Sequence, residues 1–135
     1  MRKDKKLSIA EEIGLLMEKL SETEKEDIIQ SYLYLVREEN LKDIVEELEW
    51  DITSTSVASP SITILIDLLL DFKLLEYSPN PGYRLTKGGK ELLLRDISEE
   101  VKNSYSACIE KIVQIGDDKK VVKEARKKYI EKMGW

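Results

Sequence analysis

Histidine is absent from this 135-residue chain, and cysteine occurs once, as Cys108. The first absence removes the commonest general base and the commonest metal ligand together. The second excludes an intrachain disulfide framework and a thiolate zinc site, and it fits a reducing, cytoplasmic setting. Glutamine appears only as Gln30 and Gln114 beside abundant Glu and Lys, a balance that resembles thermophile proteins. Long apolar runs are missing too. The most apolar stretch, Ile62 to Leu70, is broken by Asp67 and is too short to span a bilayer, so no membrane partner is expected. Arg2, Lys3, Lys5 and Lys6 open the chain, but acidic amphipathic sequence follows where a signal peptide needs an apolar run. No glycine-rich phosphate loop or nucleophile motif occurs; Gly88-Gly89 belongs to a helix start. Asp117-Asp118 lacks matching ligands, and Glu46, Glu47 and Glu49 read as a solvated helix face. The expectation is therefore no enzyme, no cofactor and no metal.

What is present is a chain long enough to bury one core. Apolar residues make up 41% and charged residues 36%, interspersed as in a folded domain. The formal net charge of −5 opposes tight nucleic-acid binding unless a local basic patch overrides it.

Helical spacing and start signals divide the chain. Ser8 and Glu11 have capping-box spacing, and Ile9, Ile13, Leu16, Met17 and Leu20 share one helical face. Ser21 and Glu24 repeat the box and predict a second helix to about Glu39, stopped by Asn40. Its apolar residues cover more than one side, which implies two packing partners. Leu41 to Glu49 reads as a short third helix burying Leu41, Ile44, Val45 and Leu48. A Ser/Thr-rich loop leads to Ser59-Pro60, the start of a fourth helix running to about Lys73. Leu74 to Tyr77 and Tyr83 to Leu85 predict two strands around a Pro/Gly turn. Thr86 caps a fifth helix that reaches Ile115, with a kink near Ser98, and a last helix carries Val121 to Met133.

Helix, helix, helix, two-stranded wing, helix is the order of a winged helix-turn-helix, and the residues around the wing resemble that family. Tyr83 to Leu92 looks like the wing-to-helix motif of many bacterial and archaeal winged-helix regulators, with Leu85, Thr86, Gly89 and Leu92 filling its places. Ile62, Ile66, Leu69 and Phe72 resemble the core positions of the recognition helix. The flanking helices resemble the MarR-type arrangement, in which terminal helices of two subunits form a dimer. The resemblance implies a mostly α fold of about six helices plus a two-stranded wing. It is one domain over 1–135, with N-terminal helices at 8–39, helix-turn-helix and wing at 41–85, and C-terminal helices at 86–133. The function it implies is a DNA-binding transcription regulator acting as a homodimer.

Candidate DNA contacts are the loop and helix-start residues Thr53, Ser54, Thr55, Ser56, Ser59, Ser61 and Thr63, together with Arg84 and Lys87. The same residues also read as an ordinary polar loop and as solvated surface charges. Candidate dimer contacts are Ile97, Val101, Tyr105, Cys108, Ile112 and Ile115, a seam that is otherwise intramolecular core. Two features depart from the family. The turn before the fourth helix is longer than usual. The fourth helix also carries Thr63, Asp67 and Asp71 on its polar stripe, where base reading takes Arg, Lys, Asn or Gln. The alternative is a protein-interaction module docking through Ile64, Asp67, Leu68 and Asp71, with Ile64 the better contact residue and Leu65 and Leu68 expected inside. The basic run Arg126, Lys127 and Lys128 reads as cations suited to the last turns of a helix.

Overall fold

The computed structural model describes residues 6–135 except 24, 40, 42, 80 and 81. Helix α1, Ile9–Leu20, begins with the capping box the sequence predicts: the Glu11 N–H donates to Ser8 Oγ at 3.1 Å, and the Ser8 N–H donates to Glu11 Oε1 at 2.9 Å. Ser21 does not start the next helix. It ends α1 in a left-handed conformation, φ +72°, with its N–H returned to the Met17 carbonyl. Glu24, its expected capping partner, lies outside the described residues, as does Asn40. A two-residue strand β1, Glu22–Thr23, separates α1 from α2, Glu26–Glu38. Every residue of α2 from Ile28 to Val36 is buried, because α1 and the two C-terminal helices, Glu99–Val113 and Asp118–Met133, pack around it.

The described residues between 41 and 49 do not form the expected helix. The Leu7 N–H donates to the Ile44 carbonyl at 2.8 Å, and Leu7 bridges Val45 in parallel. Arg37 Nε donates to the Glu46 carbonyl at 2.9 Å. These distant groups engage the backbone that a helix would have used internally. The apolar residues still face inward: Val45 is buried and Leu41, Ile44 and Leu48 are half-buried. The strap continues into a hairpin of β2, Asp51–Ile52, and β3, Val57–Ala58.

Helix α3, Pro60–Asp71, follows, with Pro in its first turn. Strands β4, Leu75–Ser78, and β5, Gly82–Leu85, pair antiparallel, and β1 adds to β5, giving the order β1-β5-β4. Thr86 then joins sheet to helix. Its hydroxyl accepts from the Gly89 N–H at 2.9 Å and donates to the Lys73 carbonyl at 2.7 Å. A Cβ on Gly89 would lie 2.0 Å from the Leu74 carbonyl oxygen, so only glycine fits this approach. In the short helix α4, Lys87–Leu93, Leu93 is buried while Leu92 is exposed.

The long fifth helix is two elements. Residues 94–98 break it, and Ser98 caps α5, Glu99–Val113. Asp117 caps α6, Asp118–Met133, which Gly134 ends in the left-handed region. Buried side chains from α1, α2, α3, α5 and α6 form one core. A buried ion pair crosses it: Arg37 Nη1 and Nη2 reach Glu12 Oε1 and Oε2 at 2.9 and 2.6 Å, and the Tyr105 hydroxyl donates to the same Oε1 at 2.9 Å. The result is a mostly helical chain with a small three-stranded antiparallel sheet.

The proposed dimer seam is largely core of the single chain. Ile97, Tyr105, Cys108 and Ile112 are buried against α1 and α2 or their neighbours, Val101 is half-buried, and only Ile115 is exposed. The break at 94–98 turns α5 back onto α1, so this helix has packing partners within the chain.

Candidate functional site

The hydroxyl-rich loop is mostly occupied with its own structure. Thr53 Oγ1 accepts from the Ser56 N–H at 2.8 Å and the Thr55 N–H at 3.2 Å, and donates to the Ser56 carbonyl. Thr55 Oγ1 donates to Asp27 at 3.0 Å. Ser56 is buried and bonded to the Val57 carbonyl. Ser59 is buried as well, and its hydroxyl makes no capping bond. Its N–H instead donates to Gln30 Oε1 at 3.0 Å, while Gln30 Nε2 reaches Thr63 Oγ1 at 3.0 Å. Gln30, a buried α2 side chain, thus holds the start of α3. Thr63 in turn donates to Glu26 Oε2 at 2.8 Å. Of the seven hydroxyl candidates for DNA contact, only Ser54 and Ser61 are exposed with no intramolecular hydrogen bond among the described residues. Ser56 and Ser59 are removed from that set by burial.

The wing is similarly committed. Arg84 Nη2 lies 2.6 Å from Glu76 Oε1 on β4, and the register sets Glu22 of β1 on its other side. The Arg84 charge is therefore paired with Glu76, on a strand whose other neighbour carries Glu22 at the facing position. Lys87 is exposed and has no ion pair among the described residues.

The outer face of α3 is apolar and acidic. Ile64 is 62% exposed, Leu68 43% and Phe72 71%, and Tyr77 on β4 is 52% exposed. Leu68, favoured for burial although also a docking candidate, is exposed; Ile62, Ile66 and Leu69 make the buried face, with Leu65 and Leu70 packed partly against the core. Ile64, Leu68 and Phe72 follow one another at four-residue spacing, a stripe about 12 Å long on a helix rising about 1.5 Å per residue. Asp67 and Asp71 are exposed beside it. Tyr77 and Tyr83 pair across the wing with ring centres 4.7 Å apart. Burial pushes the Tyr83 phenol above its ordinary pKa, and the charges of Glu26 and Asp67 add to the rise. Sequence reasoning names Ile64, Asp67, Leu68 and Asp71 for docking but misses exposed Tyr77, and Phe72, which resembles a core position of the recognition helix, is exposed instead. The signal was the step from Leu68 to Phe72, continuing the stripe past the helix end.

A second surface joins two stretches far apart in sequence. Arg126 Nη2 donates to the Thr53 carbonyl at 3.2 Å. Lys25, Lys119, Lys123 and Arg126 line an open groove of about 560 Å³ with Thr55, but Asp27 and Asp118 line it too. Of the basic N-terminal cluster, Lys6 is exposed, and Arg2, Lys3 and Lys5 lie outside the described residues.

Among the described residues, no group of three or more Cys, Asp or Glu is placed to hold a metal ion. No helix among them is long and apolar enough to cross a membrane. Comparison with protein-family models, with curated proteins and with solved structures returns no match to this chain.

Proposed function

We propose that this chain is a winged-helix interaction module that docks a protein partner on the outer face of α3. The order α1, β1, α2, α3, β4, β5 with the sheet order β1-β5-β4 supports the winged-helix reading. In that arrangement the strand between the first two helices pairs with the second wing strand, and the third helix faces the target. Here α2 and α3 play the helix-turn-helix pair, and residues 39–59 replace the usual short turn.

The observation that carries the docking reading is the exposed stripe Ile64, Leu68 and Phe72 on the outer face of α3. Contiguous exposed apolar surface marks an interaction site. Base reading needs hydrogen-bonding side chains, and phosphate contact needs cations. The stripe has neither, and Asp67 and Asp71 add repulsion.

A duplex-DNA regulator is the second reading. Lys73 and Lys87 favour it: both are exposed, both lack ion pairs among the described residues, and the Thr86–Lys73 bond brings their backbones together. Two measurements separate the readings. A labelled random duplex titrated at low salt should show no saturable binding. A photo-crosslinking side chain at position 64 should capture a discrete protein in cells, while one at position 127 should not. Salt-sensitive duplex binding abolished by Lys73→Ala with Lys87→Ala would overturn the docking reading in favour of DNA.

A further inference from the structure

We infer that the occupant of this face is a basic amphipathic helix, lying along Ile64, Leu68 and Phe72 with its cations beside Asp67 and Asp71. The inference rests on the docking reading and adds the partner's chemistry. A stripe at four-residue spacing is a helical ridge, and the surface that fits a ridge of this spacing is the groove between the ridges of a second helix. An extended strand would instead seek an open sheet edge.

The charges supply the second half of the argument. Asp67 and Asp71 stand one turn apart on the same side of the stripe. Glu26 bonds Thr63 at the α3 start and Gln30, both neutral, and has no ion pair among the described residues. On the wing, Arg84 is offset by Glu76 and faced by Glu22. Lys73, just beyond Phe72, is the cation nearest the stripe in sequence. The field over the stripe is therefore negative along most of its length. It favours Lys or Arg on a partner and disfavours Asp, Glu and phosphate.

The test uses the full chain and two labelled helical peptides with the same Leu stripe at four-residue spacing. One is flanked by Lys and Arg, and the other has every flanking cation replaced by Glu. Fluorescence anisotropy should show saturable binding of the basic peptide, weakening as salt rises, and at least tenfold weaker binding of the acidic one. Ile64→Ser with Phe72→Ser should abolish binding, while Asp67→Asn with Asp71→Asn should weaken it about tenfold. Circular dichroism should be unchanged in both variants, since all four side chains are exposed.

Equal binding of the two peptides would overturn the basic-partner inference and leave docking on α3 standing. No binding of the basic peptide, with a crosslinked protein still captured at position 64, would do the same. Concentration-dependent self-association removed by Phe72→Lys would also overturn it, by making a second copy the occupant. Loss of crosslinking at position 64 in every condition would bring down the docking reading itself.

Discussion

Replacing Arg37 with methionine removes one partner of the ion pair that crosses the core. The Glu12 side chain is 0% exposed and that of Arg37 10%. Burial pushes the Glu12 carboxyl above its ordinary range, and the nearby Glu46 charge adds to the rise. The hydrogen bonds and charge of Arg37, with the Tyr105 hydroxyl, oppose it. Without Arg37, Glu12 at pH 7 must stay charged and uncompensated or take up a proton, and the Glu46 carbonyl loses its donor as well. Breaking a buried pair from one side costs about 3–5 kcal/mol. That is a large part of the roughly 5–15 kcal/mol that holds a domain of this kind folded. With a urea m-value of about 2 kcal/mol per molar, the midpoint should fall by about 2 M.

The pH dependence follows from the direction of the shift. A carboxyl whose pKa rises on folding binds more protons folded than unfolded above its ordinary range, so stability falls as pH rises through that window. Loss of Arg37 widens the window upward. The deficit of Arg37→Met should therefore shrink between pH 7 and pH 5, as Glu12 accepts the proton that replaces its partner. Urea titrations followed by the fluorescence of Trp50, whose ring meets Tyr34 edge-on at 5.1 Å, measure both effects. A cost under about 1 kcal/mol at pH 7, with no change at pH 5, would refute the reasoning.

Gly89→Ala drives a Cβ into the Leu74 carbonyl and should cost more than about 2 kcal/mol in thermal or urea unfolding. Gly88→Ala meets only open space near Thr86 Oγ1, and it should be neutral or raise stability by up to about 1 kcal/mol. Burial pushes the Cys108 thiol up to about 12, with the Glu39 charge contributing, so at pH 8 it should not react with a thiol reagent until urea unfolds the chain. Reaction at the rate of a free thiol in the native protein would contradict its burial.

Local chemistry was readable where a few neighbouring residues decide the outcome. Ser8 with Glu11 marks the true start of α1, and Thr86 with Gly89 marks a joint whose bonds and close approach need those residue types. The two-sided apolar pattern of α2 implied two packing partners, and the structure packs α1, α5 and α6 on it. What failed depended on distant partners. Leu41, Ile44, Val45 and Leu48 have helical spacing, but Leu7 and Arg37 engage that backbone from elsewhere in the chain. Strands β1, β2 and β3 are two residues each, too short to carry an alternating pattern. The seam from Ile97 to Ile115 reads equally as intramolecular core or dimer interface, and only the break at 94–98, which the sequence offers as no more than a kink near Ser98, turns it against α1. At the candidate site, the sequence revealed the acidic stripe of α3 but placed Leu68 on the wrong side. A helix apolar nearly all round does not declare which apolar face meets the core.

The strap between α2 and α3 is held from both directions along the chain. Leu7 pairs with Val45 from before α1, while Tyr129 and Arg126 of α6 bond the carbonyls of Trp50 and Thr53. A chain emerging in order from a ribosome can therefore fold α1 against its neighbours early, but it leaves the strap open on one side. The exposed flank of α2 is sealed only when the residues around Tyr129 arrive, roughly 80 positions after the groups they secure. Closure of this core is a late, long-range event, which slows folding relative to a bundle of sequential helices. It also makes the last turns of α6 the place where an incomplete or truncated chain would betray itself, with α2 uncovered and the strap released.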